Sequence, residues 1–272
     1  MLTDLSGKTK LVPVLASPVD HVIAPSAYNP AFAERGLNWL MVPMGVDPVD
    51  LAATLKQLAR VTNLQGVNLT IPHKSQAFSL CQWVTEEARV SGMVNTLRLE
   101  EKGIWSGTNT DGIGFLNALR AQEMLDVTRP VFVAGAGGAG TAIAFALAKV
   151  GFTTIDVVDI DKHRVSVLLH SLQCMFPNIT LGNSSEALTK AGLAVNATPM
   201  GLHKCDPSPF DATSLQDDAV FFDIIAARDT ELMIAAKERK LRVLGGRAMI
   251  DHQLANQIEF WRGDHFALAH RD

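Results

Sequence analysis

The chain is poor in the residues that would give it a disulfide frame, a membrane span or a nucleic-acid surface. Its 272 residues include 3 cysteines, Cys81, Cys174 and Cys205, far apart and without CxxC spacing. So sparse and odd a set excludes a disulfide scaffold and a zinc knot, and fits reduced structural thiols. No run of about 18 apolar residues occurs, and the opening MLTDLSGKTK lacks an apolar signal core, so neither membrane spanning nor export is expected and the protein is read as cytoplasmic. Lysine and arginine total 24 against 28 acidic residues, for a formal charge of −4, and no basic cluster stands out. DNA and RNA are therefore not expected as partners. The 8 histidines are scattered, with no HExxH pair, so no metal site is expected. Tyrosine occurs once, as Tyr28.

What is present is an ordinary globular composition, 47% hydrophobic and 19% charged, in a chain long enough for about two domains. Short apolar runs alternate with helical periodicity, which predicts an α/β fold. KLVPVLA (10–16) reads as a strand, SAYNPAFAERG (26–36) as a helix ended by Gly36, and LNWLMVPMG (37–45) as a strand. Asp50 is the expected N-cap of DLAATLKQLARV, where Leu51, Leu55 and Leu58 recur at helical spacing. The strand GVNLTI then delivers the turn Pro72 to Lys74. A second series begins at Val131 and runs through LAVNA (193–197), AVFFDII (219–225) and LRVLGG (241–246). It closes with RAMIDHQLANQIEFW, in which Ile250, Leu254, Ile258 and Trp261 share one helical face. This last helix is expected to return to the first domain.

In the second series, VFVA (131–134) is a short apolar strand, Gly135, Gly137 and Gly140 give GxGxxG spacing, and an alanine-rich helix follows until Gly151. Gly135 permits the tight turn, Gly137 lets the backbone approach a pyrophosphate, and Gly140 allows close helix packing. The helix N-terminus adds unpaired N–H groups for the phosphates. The strand TTIDVVD (153–159) places Asp159 about twenty residues beyond the loop, where an acid meets the ribose. A nicotinamide dinucleotide is the expected cofactor. A carboxylate there accepts from a free 2′-hydroxyl and repels a 2′-phosphate, which favours NAD over NADP; Lys162 and Arg164 just downstream are the counter-argument.

Hydride chemistry on an alcohol needs a group that takes the hydroxyl proton, and a lysine tuned by burial and a neighbouring carboxylate can serve. Lys74 closes GVNLTIPHK (66–74), and Asp111 lies in GTNTDGIG (107–114), both at strand-end or helix-start positions where open parallel sheets bind ligands. From spacing alone, a surface lysine and an ordinary N-cap aspartate remain open for the pair.

The motifs as a set resemble the shikimate dehydrogenase family. Its pattern NxTxPxK matches Asn68, Thr70, Pro72 and Lys74; its GAVNT appears as GMVNT with Asn95; and its GxNTDGxGF runs from Gly107 to Phe115. NATxxG follows as Asn196 to Gly201, and MxxxQ as Met249 to Gln253. SPVDHVIAPSAYNPAF (17–32) follows the family's NPIxHSxSPxxHNxxF without gaps. The resemblance implies two α/β domains: a substrate domain over 1–110, completed by 247–272, and an inserted Rossmann-type dinucleotide domain over 111–246. It implies reversible NAD(P)-dependent oxidation of a ring hydroxyl on shikimate, quinate or a related cyclic polyol acid, in a monomer or homodimer. Lys74 and Asp111 are then the catalytic pair, and Thr70, Asn95, Asp111 and Gln253 bind substrate hydroxyls. Gly135, Ala136, Gly137, Gly138, Ala139, Asp159, Asn196, Ile224, Gly246 and Met249 are the implied cofactor residues.

The chain departs from that pattern in three places. The two serines of the family's HSxSP, which look designed for the substrate carboxylate, are Val22 and Ala24 here. Where the family carries a tyrosine three positions after the aspartate of FDIIAARDTEL, this chain has Ala226. Losing two hydrogen bonds to a charged group at roughly 1.5–3 kcal/mol each removes about 3–6 kcal/mol, or two to four decades of binding. Ser17, Ser26 and Tyr28 are the nearby hydroxyls that offer replacement, and Tyr28 is taken as a substrate contact. The third departure is Asp159-Ile160, where NADP-using relatives tend to present Asn-Arg-Thr; it agrees with NAD. The expectation is retained chemistry on an altered or more weakly held substrate. The alternatives are a dehydrogenase for another small substrate and a non-catalytic dinucleotide sensor.

Overall fold

The computed structural model describes residues 5–263 and 267–271. The described residues fall into two compact units, one drawn from 1–110 and 254–272, the other from 111–253.

The first unit contains β1 (Lys10–Ala16), α1 (Ala24–Glu34), β2 (Trp39–Gly45), α2 (Leu51–Leu58), β3 (Val67–Leu69), α3 (Lys74–Leu80), β4 (Trp83–Val84), α4 (Glu86–Ser91), β5 (Thr96–Leu99) and β6 (Trp105–Thr108). The second contains α5 (Asp111–Ala121), β7 (Val131–Ala134), α6 (Gly138–Val150), β8 (Thr154–Val158), α7 (Lys162–Met175), β9 (Thr180–Gly182), β10 (Leu193–Asn196), β11 (Val220–Asp223), α8 (Glu231–Glu238) and β12 (Arg242–Gly245). The helix α9 (Gly246–Arg262) starts in the second unit and ends in the first, where β13 (Ala269–His270) also lies.

The second unit is an all-parallel sheet in the order β12-β11-β10-β7-β8-β9. Its central strands β7, β10 and β11 are buried along their whole length, as expected of strands covered on both faces, and so read as unbroken apolar runs. The helix α6 ends at Gly151, which adopts φ +110° in a left-handed cap.

The first unit is a mixed sheet, β13-β4-β6-β5-β3-β1-β2. β1 pairs in parallel with β2 and β3, whereas β5 runs antiparallel to both β3 and β6. The β5–β6 hairpin has no signature in the sequence. Its strands, TLRL and WSGT, have 4 residues each, too few to stand out, and their pairing, Thr96 opposite Thr108, makes them a sheet. Asp50 does not cap α2. A 3₁₀ turn over Pro48–Asp50 runs straight into the helix, leaving Asp50 in helical backbone with no side-chain bond to a helix N–H.

The last turns of α9 seal the first unit. Leu254, Ile258 and Trp261 are buried. Trp261 stands edge-on to Tyr28 and Phe32 at 6.4 Å and to Trp39 at 6.3 Å, and its indole N–H donates to the Leu97 carbonyl at 3.1 Å. Gly66 makes room for that ring, because a Cβ there would collide with the indole and lie 2.8 Å from the Leu97 carbonyl oxygen. Gly66→Ala is therefore expected to destabilise the protein by about 1–3 kcal/mol through overpacking. Urea unfolding should show a lower midpoint with an unchanged slope.

Candidate active site

In the first unit the site grows from the end of β3. The strand hands over to a turn in which the Leu69 N–H donates to the Asn95 carbonyl at 2.8 Å and the Thr70 N–H to the Leu15 carbonyl at 3.1 Å. The His73 N–H closes the turn onto the Thr70 carbonyl at 2.9 Å, and Lys74 opens α3. The Lys74 carbonyl accepts from the Val94 N–H at 3.1 Å, so the helix start is tied to the segment that carries Asn95. Thr70, Lys74 and Asn95 thus converge at the carboxyl end of β3, the edge of the sheet where ligands bind in open α/β folds.

Asn95 is 2% exposed and its side-chain oxygen gathers three donors. Thr96 Oγ1 donates to Oδ1 at 2.8 Å, the Thr110 N–H at 3.1 Å and Thr110 Oγ1 at 3.2 Å. Asp111 is the next residue along the chain and the first of α5. The carboxamide therefore fixes the backbone of Thr110.

His73 is fully buried, and neither ring nitrogen has a hydrogen-bond partner. Burial lowers its pKa below the usual 6.5, against weaker opposing influences from the backbone of Val46 and Ala16 and the charge of Asp47. Buried unpaired imidazole stays neutral. Cys81 is likewise inert, since burial pushes its thiol up to about 12.

The three hydroxyls near the departed serines are all committed within the protein. Ser17 Oγ donates to Asp47 Oδ1 at 3.2 Å, Ser26 Oγ to the Ile23 carbonyl at 2.7 Å, and Tyr28 Oη to Gln257 Oε1 at 2.7 Å. A carboxylate only accepts, and each of these groups has a single proton to give. Tyr28 is buried and directs its hydroxyl proton to Gln257.

The second unit carries the glycine loop. Gly135 adopts φ +108°, where a Cβ would press on Ala197, and a Cβ on Gly140 would collide with the Gly135 carbonyl. Gly137 differs, because a Cβ added there meets no protein atom. The space over Gly137, with Gly138 and Ala139 opening α6, is a cradle that a pyrophosphate fits. Asp159 faces into this loop. It accepts from the Ala136 N–H at 2.7 Å and the Asp161 N–H at 2.9 Å, which fixes its carboxylate beside the glycines. Arg164 is paired with Asp161 at 3.2 Å.

Asn196, a cofactor candidate, sits at the centre of a hydrogen-bond network. Its Nδ2 donates to the Met200 carbonyl and to Asp223 Oδ1, and its Oδ1 accepts from the Thr198 N–H and hydroxyl. With two donors and two acceptor positions engaged, the side chain shapes the loop. Asp223 completes this network, accepting also from the Ile225 N–H at 3.0 Å and Thr230 Oγ1 at 2.8 Å. Burial raises its pKa, and those three hydrogen bonds offset the rise only in part. The network sets the backbone of Ile224, whose N–H donates to the Asn196 carbonyl at 3.0 Å. Gly246 packs against the Ile224 carbonyl too closely for any side chain.

Two further glycines explain how Asp111 is held. A Cβ on Gly112 would lie 2.5 Å from the Ala142 carbonyl on α6, and one on Gly114 would lie 2.7 Å from Gln253 Cβ and 2.9 Å from the Met249 carbonyl on α9. Close approach is thus what GTNTDGIG encodes in its second half. α5 lies directly on α6 and on the turn of α9 that carries Met249 and Gln253, with Asp111, 2% exposed, at its start. Sequence reasoning missed Thr110, Asp223 and Gln257. Gln257 lies one helical turn beyond Gln253, a spacing that points to it.

Among the described residues, no three His, Cys, Asp or Glu side chains gather as a metal set, and no helix is long and apolar enough to cross a membrane.

Comparison with known proteins follows the same lines. A family model described as "Shikimate dehydrogenase substrate binding domain" matches residues 14–97. The shikimate dehydrogenase (NADP(+)) of Rubrobacter xylanophilus is 35% identical over 264 residues, covering 95% of this chain and 93% of that protein. The shikimate 5-dehydrogenase of Thermus thermophilus, solved with NADP(H) and shikimate, superposes with a TM-score of 0.83 at 31% identity and 95% coverage of each chain. The quinate dehydrogenase of Corynebacterium glutamicum, solved with NAD, gives a TM-score of 0.80 at 25% identity, again covering 95% of each.

His73 generates a pH prediction. Its folded pKa is depressed, so the unfolded chain binds more protons below 6.5, and stability is fully present above that value and falls as pH drops toward the folded pKa. His73→Leu should flatten this part of the stability–pH curve, measured by urea unfolding between about pH 7 and 5. An unchanged slope would assign the acid sensitivity to other groups.

Proposed function

From the membership of this chain in the shikimate dehydrogenase family, we propose that it is an NAD(P)-dependent oxidoreductase that interconverts a ring alcohol and a ketone on a shikimate-like cyclic polyol. The observation that carries the reading is the tethering of both proton-handling residues to Asn95: Lys74 through the Val94 N–H, and Asp111 through Thr110.

When bound, the dinucleotide supplies the hydride acceptor. The residues that would hold it are Gly135 to Ala139 at the pyrophosphate, Asp159 at the ribose, and Ile224, Gly246 and Met249 along the strand and helix ends. Lys74 takes the hydroxyl proton as the carbon–hydrogen bond breaks, and returns it in the reductive direction. Asp111 holds the same hydroxyl and so helps to place it for that transfer. Thr70, Asn95 and Gln253 fix the remaining ring hydroxyls and so orient the reacting carbon. Lys74→Ala should lower kcat by about 10²–10⁴-fold with NADH affinity retained. Wild-type levels of turnover in that variant would remove Lys74 from the chemistry.

The missing hydroxyls shape the choice of substrate. Val22 and Ala24 offer no proton, Ala226 offers none, and Ser17, Ser26 and Tyr28 direct theirs into the protein. The acid end of the substrate is accordingly held weakly, and the preferred substrate differs from shikimate at that end or binds less tightly. Steady-state rates over shikimate, quinate and related cyclic polyols test this. A KM for shikimate within the ordinary range of about 1 μM to 1 mM, with ordinary turnover, would overturn it.

The cofactor preference we assign is NAD. The fixed carboxylate of Asp159 beside the glycine loop supports it by repelling a 2′-phosphate. NAD should exceed NADP in kcat/KM by about tenfold or more, the size of a repulsion near ~1.4 kcal/mol, and Asp159→Ser should narrow the gap. NADP preferred by the unaltered protein would reverse the assignment.

A further inference from the structure

We propose that the substrate of this chain is a neutral polyol, with a hydroxyl or hydroxymethyl group where a shikimate-like acid carries its carboxylate. The inference deepens the proposed dehydrogenase reading, rests on it, and concerns the first unit alone.

The strands β3, β1 and β2 are neighbours in the sheet and run parallel, so their carboxyl ends lie side by side on one edge. The end of β3 leads to Thr70 and Lys74, the end of β1 leads through 17–23 into α1, and the end of β2 leads to Asp47. Hydrogen bonds join the three. The Ser17 N–H donates to the Ile71 carbonyl at 3.3 Å, the Thr70 N–H to the Leu15 carbonyl at 3.1 Å, and the Val46 N–H to the Ala16 carbonyl at 3.1 Å. The segment in which Val22 and Ala24 stand in place of two serines is therefore built into the edge that bears Lys74.

This edge offers little to an anion. A carboxylate only accepts, so holding it out of water takes donors or positive charge. The side chains of Val22 and Ala24 supply neither. Ser17 Oγ gives its proton to Asp47 Oδ1 at 3.2 Å, and Ser26 Oγ gives its own to the Ile23 carbonyl at 2.7 Å. A helix N-terminus is the usual alternative for an anion. In the first turn of α1, however, Pro25 has no N–H and the Ser26 N–H donates to the Ile23 carbonyl at 3.0 Å. The fixed charge also has the wrong sign. Residues 11–34 and 36–55 contain no lysine or arginine, and His21 is their one basic side chain, while Asp20, Asp47 and Asp50 stand exposed in the loops after β1 and β2. Lys74 is the cation of this edge, and in the proposed reaction it is engaged with the reacting alcohol. A carboxylate here gives up hydration near like charge. A hydroxyl carries no charge and has a proton to donate, and the Asp47 carboxylate has lone pairs beyond the one that Ser17 uses.

Three compounds with one ring test the substrate class: shikimate, its methyl ester, and the alcohol made by reducing its carboxyl group to a hydroxymethyl. At about pH 8, where free histidine is neutral, kcat/KM for the alcohol should exceed that for shikimate by about tenfold or more, with the ester close to the alcohol. Shikimate preferred to the alcohol, or an ester as poor as the acid, overturns the proposal. The double variant Val22→Ser, Ala24→Ser restores two donors and should raise the shikimate-to-alcohol ratio of kcat/KM by about tenfold or more. A ratio that does not move counts against it. Calorimetric titration of the NADH-loaded protein with shikimate and with the alcohol separates this inference from the reading beneath it. Tighter binding of the alcohol without turnover of any of the three supports the ligand class and removes the dehydrogenase reading. Equal or tighter binding of shikimate, or binding of neither, overturns the ligand class whatever the turnover.

Discussion

Buried oxygen and nitrogen must find partners inside the protein, and in the first unit this demand is met around one atom, the side-chain oxygen of Asn95. Three donors reach it, from Thr96 and from both the backbone and the hydroxyl of Thr110. Leaving such a group unpaired costs roughly 1–3 kcal/mol, so the arrangement is held firmly against alternatives. Its consequences extend outward. The Asn95 backbone binds β3 on one side and β6 on the other, its neighbour Val94 fastens the start of α3, and Thr110 leads directly into α5. The segments that carry Thr70 and Lys74 are thereby tied to Asn95 and its neighbour.

The second unit solves a different problem with different means. A parallel sheet with buried strands leaves its loops to do the recognition, and here the loops are set by small residues and saturated polar groups. Gly112 and Gly114 let α5 lie against α6 and α9 at backbone distance, which a side chain at either position would prevent. Asn196 and Asp223 spend themselves on one another and on adjacent backbone, so that the turn around Ile224 keeps its shape. Within the glycine loop, Gly137 faces open space where a Cβ would sit, which separates it from the glycines that serve packing.

Much of this is legible in the sequence, for physical reasons. β7, the glycine loop, α6 and β8 announce themselves because a buried strand, a tight turn and a capped helix each demand particular residue types. α9 shows its apolar face through Leu254, Ile258 and Trp261. The β5–β6 hairpin is invisible because strands of 4 residues are too short for their pattern to stand out, and the failure of Asp50 to cap α2 depends on a 3₁₀ turn that local preference does not specify. Side-chain direction is the other gap. Sequence makes Tyr28 a candidate donor to substrate and Asn196 a candidate for the cofactor, while the structure shows where their protons go. Gln257 escapes notice for the converse reason: nothing in its local sequence tells that Tyr28, Asn68 and Thr110, all distant along the chain, meet on one amide.

Retained proton chemistry joined to a depleted acid-binding end is the account that these features compose. The most direct test is a crystal structure with NADH and a cyclic polyol acid bound together. The account predicts the pyrophosphate over Gly137 and one ring hydroxyl within hydrogen-bonding reach of both the Lys74 ammonium and the Asp111 carboxylate. A polyol bound with either of those side chains turned away from its reacting hydroxyl would contradict it.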